Sequence, residues 1–147
     1  DARFLLYGYP DDHPDSIDEN EIINHWSEKY GVEYYGYAPD PLKVINECSV
    51  FVLLSHKEGT PRVVLEAMAM GRPIITTDAP GCRETVKNNV NGFLVPLYDY
   101  DEVALAMEKL LNSTLRSKMG EESRTYCELK FNVTEVNKIL LSEMGVI

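Results

Sequence analysis

Two glutamates, Glu58 and Glu66, are separated by seven residues in the run EGTPRVVLEAMAMGRPIITTDAPGCRET, which passes from a turn into an apolar helix. Thr60 is a typical N-cap residue, and Pro61 suits the first helical position because its missing N–H would have no partner there. On a helical wheel of about 100° per residue, Glu66 lies only about 40° from Arg62, and apolar side chains cover most of the remaining circumference. Because helical side chains lean toward the N-terminus, we expect Glu66 to point back toward Glu58 and the first-turn amides.

This arrangement could bind a ligand that carries both phosphate and hydroxyl groups. Free N–H groups at a helix N-terminus attract an anion, and the helix dipole adds to that attraction. A carboxylate can accept both hydrogens of a vicinal diol such as that of ribose, and a second carboxylate can do the same for a hexose. The spacing therefore favours a nucleotide sugar. It also allows a plainer interpretation, in which Arg62 and Glu66 form an ordinary i,i+4 salt bridge and Glu58 is a loop residue.

The elements that would hold these residues alternate between short apolar strands and helices. Strands are predicted at 2–8, 32–36, 50–54, 73–77 and 92–95. Helices are predicted at 17–30, 40–48, 61–71, 82–88, 101–112, 114–129 and 132–144. Such alternation is typical of a parallel sheet covered by helices on both faces, so the fold class is α/β and Rossmann-like.

Composition limits the chain to one modest core and excludes several kinds of partner. At 147 residues, of which 44% are hydrophobic, the chain is interpreted as a single domain over 1–147. No run approaches the ~18–20 apolar residues of a membrane span, and no signal-peptide pattern opens the chain. The net charge of −10, from 14 basic and 24 acidic residues, argues against a nucleic-acid-binding surface. An anionic ligand must therefore be held by local groups and not by the overall field.

The three cysteines, Cys48, Cys82 and Cys127, lie far apart and form no CxxC pair or Cys/His cluster. This pattern favours reduced thiols in a cytoplasmic protein, with peripheral attachment to the inner face of a membrane left open. No Asp-x-Asp run follows a predicted strand, and Asp11-Asp12 lies in a polar loop. We therefore expect neither a metal nor another cofactor.

Residues 50–95 resemble the nucleotide-sugar-binding core of the GT-B retaining glycosyltransferases of family 4. The elements that carry the resemblance come in the family's order and spacing: the strand VFVLLS, Glu58-Gly59, Glu66-Ala67-Met68-Ala69 with Gly71 and Pro73, the strand PIITT, Pro80-Gly81 with Glu84, and Asn91-Gly92-Phe93-Leu94-Val95. The run PRVVLEAMAMGRPIITTDAPGCRE is closest to bacterial enzymes that build capsule, O-antigen or protein-linked oligosaccharides. The resemblance implies the C-terminal half of a GT-B fold.

The resemblance also implies roles for the matching residues. Glu66 resembles the residue that accepts hydrogen bonds from the ribose hydroxyls. Glu58 resembles the catalytic residue that contacts the transferred sugar and stabilises charge as the glycosidic bond breaks. The backbone N–H groups that would meet sugar or phosphate oxygens are those of Gly59, Thr60 and Arg62. Tyr37 lies where the family's chain passes the base, with aromatic packing at a strand end as the competing account.

Together these expectations describe a glycosyltransferase domain that binds a nucleotide-sugar donor, UDP-hexose or UDP-N-acetylhexosamine. Transfer would be retaining, to a glycan or lipid-linked acceptor in surface polysaccharide synthesis. Two alternatives stay open: a GT-B-type UDP-sugar epimerase, and a non-catalytic nucleotide-sugar-binding partner subunit.

The run ARFLLYG resembles the second strand of the family's donor domain. This implies that the first strand and helix of that domain, and the N-terminal acceptor domain, are absent from this chain. We therefore expect this piece to be inactive by itself and to self-associate through unpaired sheet edges.

Overall fold

The computed structural model describes residues 2–10 and 16–146, so the Asp11-Asp12 pair lies outside the described residues. The chain divides into two compact units, Asp1–Val44 and Ile45–Ile147. Each unit contains its own parallel sheet, one of two strands and one of three.

The first unit is a two-stranded sheet with a helical connection between its strands. In chain order its elements are β1 (Phe4–Leu6), α1 (Glu19–Glu21), a π-helical segment (Ile22–Ser27), α2 (Glu28–Tyr30) and β2 (Val32–Tyr34). The carboxylate of Asp18 caps α1 by accepting a hydrogen bond from the N–H of Asn20. Gly31 ends α2 at a φ of 68°, a left-handed value that glycine adopts without a Cβ clash. The connection therefore returns the chain parallel to β1.

The second unit carries the segment in which both glutamates lie. Helix α3 (Pro41–Glu47) contains the boundary between the two units. The elements that follow are β3 (Phe51–Leu53), α4 (Arg62–Ala69), β4 (Ile74–Thr77), a 3₁₀ turn (Arg83–Thr85), β5 (Gly92–Val95), α5 (Tyr100–Lys109), α6 (Ser113–Lys130) and α7 (Val133–Glu143). The strands are parallel in the order β3-β4-β5.

Hydrophobic clusters cover both faces of the β3-β4-β5 sheet. Ile74 belongs to a cluster with Val64 and Met68 of α4, whereas its neighbour Ile75 belongs to a second cluster with Ala106 of α5. Successive side chains of a strand point to opposite faces, which explains why adjacent isoleucines serve different clusters. This double cover holds the sheet rigidly, so the loops that leave the carboxyl ends of β3 and β4 start from fixed points.

Helix α6 packs closely against the turn that follows α4. A Cβ added at Gly120 would overlap the carbonyl oxygen of Gly71, so the two backbones touch at this point. Helix α7, in contrast, leaves apolar side chains such as Val133 and Ile139 exposed. Within residues 2–10 and 16–146, no helix combines the length and the apolar character that crossing a membrane requires.

The α/β, Rossmann-like class and the five predicted strands are confirmed, with the strands divided between two sheets. The predicted helix at 82–88 is wrong, because this region contains only a 3₁₀ turn, Arg83–Thr85. The buried side chain of Asn91 explains the difference. It accepts a hydrogen bond from the N–H of Lys87 (2.7 Å) and donates one to the carbonyl of Thr85 (3.1 Å), which holds this backbone in a loop.

Candidate functional site

Glu58 lies in the loop after β3, and the loop after β4 holds it in place. The N–H of Glu58 donates a hydrogen bond to the carbonyl of Pro80 at 3.0 Å. Gly81 follows with a φ of +84°, and a Cβ added there would overlap the carbonyl oxygens of Glu58 and Gly59. Only glycine meets both conditions, since it tolerates this φ and has no side chain to clash. The Pro80-Gly81 turn therefore fixes the Glu58–Gly59 backbone.

Two buried threonines of β4 fix the chain between β3 and Glu58. The hydroxyl of Thr76 donates to the carbonyl of Leu53 at 2.7 Å, and the hydroxyl of Thr77 donates to the carbonyl of Ser55. These bonds satisfy carbonyl groups where the strand ladder ends. The chain therefore reaches Glu58 from a fixed direction.

Helix α4 begins one residue later than the sequence predicts. Pro61, and not Thr60, is the N-cap residue, with φ −67° and ψ 107°, and the first helical residue is Arg62. The reason is that the Pro61 carbonyl already accepts the N–H groups of Val64 and Leu65, at 3.0 and 3.3 Å. No side chain with a described position caps this end of the helix.

The start of α4 therefore leaves backbone donors unused. Within the part of the chain that the structure describes, the N–H groups of Gly59, Thr60, Arg62 and Val63 donate no hydrogen bond to a protein acceptor. Unsatisfied N–H groups at a helix N-terminus are suited to the oxygens of an anion.

The two glutamates differ in how they are paired. Nε of Arg62 lies 3.3 Å from Oε1 of Glu66, so the ordinary i,i+4 ion pair is present. The Arg62 side chain is 91% exposed and that of Glu66 is 27% exposed. An exposed pair of this kind contributes little free energy, so a ligand can replace it at small cost. Among the residues with described positions, the Glu58 carboxylate has no ion pair or hydrogen-bond partner.

The burial of the α4 side chains agrees with the helical wheel drawn from the sequence. Val64, Ala67 and Met68 are fully buried, whereas Arg62 is exposed and Glu66 is partly exposed. Glu66 is thus the only acidic residue of α4, and it lies on the helix's accessible stripe.

Tyr37 belongs to the first unit, where its ring packs on another tyrosine. The rings of Tyr9 and Tyr37 are stacked, with centroids 5.7 Å apart and planes inclined by 9°. The N–H of Gly8 donates to the carbonyl of Gly36 at 2.9 Å, which holds the two chain segments side by side. Aromatic packing, the competing account of Tyr37, is therefore present, although 63% of the residue stays exposed.

One aromatic residue near the site was not found by sequence reasoning. The ring centroid of Tyr98 lies 4.9 Å from that of His56, and His56 comes two residues before Glu58. Tyr98 has a φ of +63°, which is uncommon for a residue with a side chain. No sequence pattern predicts a positive φ at Tyr98, because left-handed backbone conformations occur mostly at glycine or asparagine.

The cysteines, and those acidic side chains whose positions the structure describes, form no reactive or metal centre. Burial raises the pKa of the thiols of Cys48 and Cys127, and Cys82 is fully buried. Within residues 2–10 and 16–146, no three His, Cys, Asp or Glu side chains cluster in a way that could hold a metal ion.

Comparison with known proteins finds relatives that are named glycosyltransferases. It is 36% identical over 118 residues to the capsular polysaccharide biosynthesis glycosyltransferase CapM of Staphylococcus aureus, covering 80% of this chain and 31% of CapM. It is 38% identical over 91 residues to the N,N'-diacetylbacillosaminyl-diphospho-undecaprenol alpha-1,3-N-acetylgalactosaminyltransferase of Campylobacter jejuni, covering 62% of this chain and 23% of that enzyme. The matched region thus spans about a quarter to a third of the length of these relatives.

Solved structures give the fold. The crystal structure of Anabaena HepE in complex with UDP-glucose matches with a TM-score of 0.79 at 22% identity, covering 99% of this chain and 41% of HepE. The fold is that of a GT-B glycosyltransferase domain. Residues 1–126 match the family model described as glycosyl transferases group 1, and the chain belongs to that family.

Proposed function

We propose that this chain binds a nucleotide-sugar donor at the start of α4 and acts as the donor-binding domain of a retaining glycosyltransferase of family 4. One observation carries the proposal: among the described residues, the Glu58 carboxylate has no partner, and it is followed at once by the N–H groups of Gly59, Thr60 and Arg62, which have no acceptor there either. A phosphorylated sugar would supply partners of both kinds, namely oxygens for the N–H groups and hydroxyls for the carboxylate.

The two glutamates have different proposed roles. Glu66 accepts hydrogen bonds from the ribose hydroxyls, and the exposed Arg62 side chain gives up its ion pair as the ligand enters. Glu58 contacts the transferred sugar. As the glycosidic bond breaks, positive charge develops on the sugar ring, and a nearby carboxylate stabilises it. Glu58 is therefore the proposed catalytic residue, and Glu66 a binding residue.

The proposed donor is UDP-hexose or UDP-N-acetylhexosamine. Two names support this: the C. jejuni relative is an N-acetylgalactosaminyltransferase, and HepE is bound to UDP-glucose. The contact of Tyr37 with the base stays a prediction that the family resemblance makes, and the Tyr37 ring is exposed in the first unit. No metal has a role in the proposal, so we expect a chelator such as EDTA to leave donor binding unchanged.

The acceptor is proposed only as a class, because the chain spans a quarter to a third of its relatives. A glycan or lipid-linked acceptor in surface polysaccharide synthesis fits the names of CapM and of the C. jejuni enzyme, which acts on a diphospho-undecaprenol compound.

Calorimetric titration of the chain with UDP-glucose, UDP-N-acetylglucosamine, UDP-N-acetylgalactosamine and GDP-mannose tests the proposal. We expect one or more UDP sugars to bind, and Glu66→Gln to weaken that binding by about tenfold because charge-assisted hydrogen bonds are lost. Glu135→Gln is the matched control, since Glu135 is likewise paired with a cation on its own helix. Absence of heat with every donor, or equal effects of the two substitutions, would reject the site.

Product analysis of the full-length protein separates the remaining alternatives. A transferase forms its glycosylated product only when an acceptor is supplied. A UDP-sugar epimerase releases an epimer even when no acceptor is present. A non-catalytic partner subunit would bind the donor and form neither product.

A further inference from the structure

A polar cavity lies at the edge of the three-stranded sheet opposite the Glu58 loop. It has a volume of about 360 Å³ and is lined by three arginines, Arg72, Arg116 and Arg124, together with serines and a single acidic residue, Glu121. Arg72 stands just before β4, at the amino end of the strand, whereas the Glu58 loop leaves the carboxyl end of β3. Because the strands are parallel, these are opposite edges of the sheet. We call this site the arginine cavity.

The concentration of positive charge is unusual in this chain. The sequence has 24 acidic and 14 basic residues, yet three guanidinium groups and only one carboxylate line the arginine cavity. Glu128 pairs with Arg124 beside the cavity, yet positive charges still outnumber negative ones there. Like charges repel, and an anion bound between the guanidinium groups would reduce that repulsion.

Two of the arginines are held in position by backbone carbonyls. Arg72 donates from Nε to the carbonyl of Ile45 and from Nη2 to that of Asn46, each at 3.1 Å. Arg116 donates from Nη1 to the carbonyl of Leu110 at 2.9 Å. A guanidinium has five N–H donors, so each group keeps several for another acceptor. Because their rotamers are already fixed, binding an anion costs them little conformational entropy.

The third arginine and the start of α6 add further donors. Arg124 uses Nε for Glu128 at 2.9 Å, which leaves both of its Nη atoms without a protein acceptor among the described residues. The hydroxyl-bearing Ser113 and Ser117 line the same cavity, and Ser113 is the first residue of α6. Guanidinium forks with hydroxyl groups and a helix N-terminus are suited to the tetrahedral oxygens of a phosphate.

Backbone packing fixes one part of the cavity wall. Gly71 and Gly120 both line the cavity, and their backbones already touch, since a Cβ at Gly120 would overlap the Gly71 carbonyl oxygen. Pro73, also in the lining, is fully buried. This part of the wall is therefore set by the packing between α6 and the turn before β4.

We propose that the arginine cavity binds a phosphate-bearing anion at a site separate from the one at the start of α4. Two sources share this chemistry: a free phosphate compound, and the headgroup of an anionic lipid. The proposal does not depend on the donor site, because no residue that lines the cavity belongs to the 58–66 segment.

Sodium pyrophosphate titrated into the chain is the first arm of the test, read by calorimetry and by backbone amide shifts in NMR. We expect the amides of Ser113 and Ser117 to shift, and Arg124→Gln to weaken binding by about tenfold through loss of a charge-assisted contact. The matched control is Lys138→Gln: both cations are exposed, and both are paired with a glutamate on their own helix. The control should change affinity less than twofold.

The second arm measures co-sedimentation with vesicles of phosphatidylcholine alone and of phosphatidylcholine and phosphatidylglycerol in equal parts. Pyrophosphate binding that depends on Arg124 identifies a free phosphate compound as a ligand, and retention on the anionic vesicles that depends on Arg124 identifies a lipid headgroup. The proposal is overturned if neither arm separates Arg124→Gln from Lys138→Gln, or if the amide shifts are confined to residues 58–63.

Discussion

At the scale of single residues, the pairing of each carboxylate bears on whether it suits catalysis or ligand binding. The Glu58 carboxylate has no partner in the described part of the chain, whereas Glu66 is held by Arg62 at 3.3 Å. A carboxylate without a partner can meet developing positive charge directly, because no existing bond has to break first. A paired carboxylate on a half-buried stripe is better suited to hold a ligand by hydrogen bonds that are the same before and during the reaction.

Glu58→Gln should therefore lower turnover more than donor affinity. In the full-length protein we expect kcat to fall by about a hundredfold, because the substitution removes a charge that acts mainly in the transition state. KM for the donor should change much less. Steady-state kinetics over a range of donor concentrations measures both constants, with Glu47→Gln on the exposed side of α3 as the control. Unchanged kcat in Glu58→Gln would remove the catalytic role.

The first unit contains a carboxylate with a strongly shifted pKa. Arg3 donates two hydrogen bonds to Glu33, each at 2.7 Å, and the Tyr35 hydroxyl donates a third at 2.8 Å. The Arg3 bonds and then the Tyr35 bond lower the pKa of Glu33 to about 2. Because the folded-state pKa is depressed, the contribution of Glu33 to stability is present above its unfolded pKa of about 4.3. It is lost as the pH falls toward 2.

NMR titration of the side-chain carboxyl carbons should show Glu33 titrating near pH 2. In Arg3→Gln the pKa of Glu33 should rise toward the ordinary glutamate value, since the charged donor is gone. Glu135, paired on α7 by Lys138, is the internal reference because Arg3→Gln does not touch it. An ordinary pKa for Glu33 in the unsubstituted chain would contradict the bond geometry.

At the scale of elements, a turn after one strand sets the position of a loop after its neighbour. The Pro80-Gly81 turn holds the Glu58–Gly59 backbone through a hydrogen bond and a close backbone contact. Helix α4 then begins at Arg62 and presents its uncapped end to solvent. The proposed donor site is thus built on two adjacent strand ends, the position at which α/β sheets commonly bind ligands.

Gly81→Ala should destabilise the chain by about 1–3 kcal/mol, because alanine is strained at φ +84° and its Cβ meets backbone oxygens that cannot move freely. Gly59→Ala is the matched control in the same loops: its φ is not left-handed, and a Cβ there has no atom within 4 Å. Chemical denaturation compares the two. Equal midpoints for both variants would show that the turn does not hold the loop.

At the scale of the whole molecule, unpaired strand edges and a high negative charge act in opposite directions. In the described part of the chain the sheets have two and three strands, and the outer strands of such open sheets carry backbone groups outside the strand ladders that can pair with another chain. Exposed apolar residues on α7, such as Ile139 and Leu140, add hydrophobic surface that favours association between copies. The net charge of −10 opposes contact between copies.

We therefore expect the chain to self-associate at micromolar concentration, and to do so more strongly as salt is added, because salt screens the repulsion between copies. Sedimentation velocity at low and high ionic strength measures both effects. A stable monomer under both conditions would contradict this prediction.

Much of the fold and part of the site could be predicted from the residues alone. The period of the apolar residues located the five strands and the amphipathic α4, because the alternation of buried and exposed positions is a local property of each element. The family resemblance likewise included Pro80-Gly81, but the turn that these residues form was described only by the structure. The helix predicted at 82–88 is wrong because its conformation depends on a residue outside the segment: Asn91 holds the backbone in a loop by hydrogen bonds.

Sequence by itself thus determined the α/β class, the family resemblance and the candidate carboxylates, since these depend on residue type and spacing along the chain. Only the tertiary structure decided that Glu66 is paired whereas Glu58 has no partner among residues 2–10 and 16–146. It also decided that Gly81 contacts the Glu58 backbone and that three arginines share a cavity. Arg72 and Arg124 are far apart in sequence, and no local pattern relates them. They meet because α6 packs against the turn before β4, and such contacts exist only once the chain has folded.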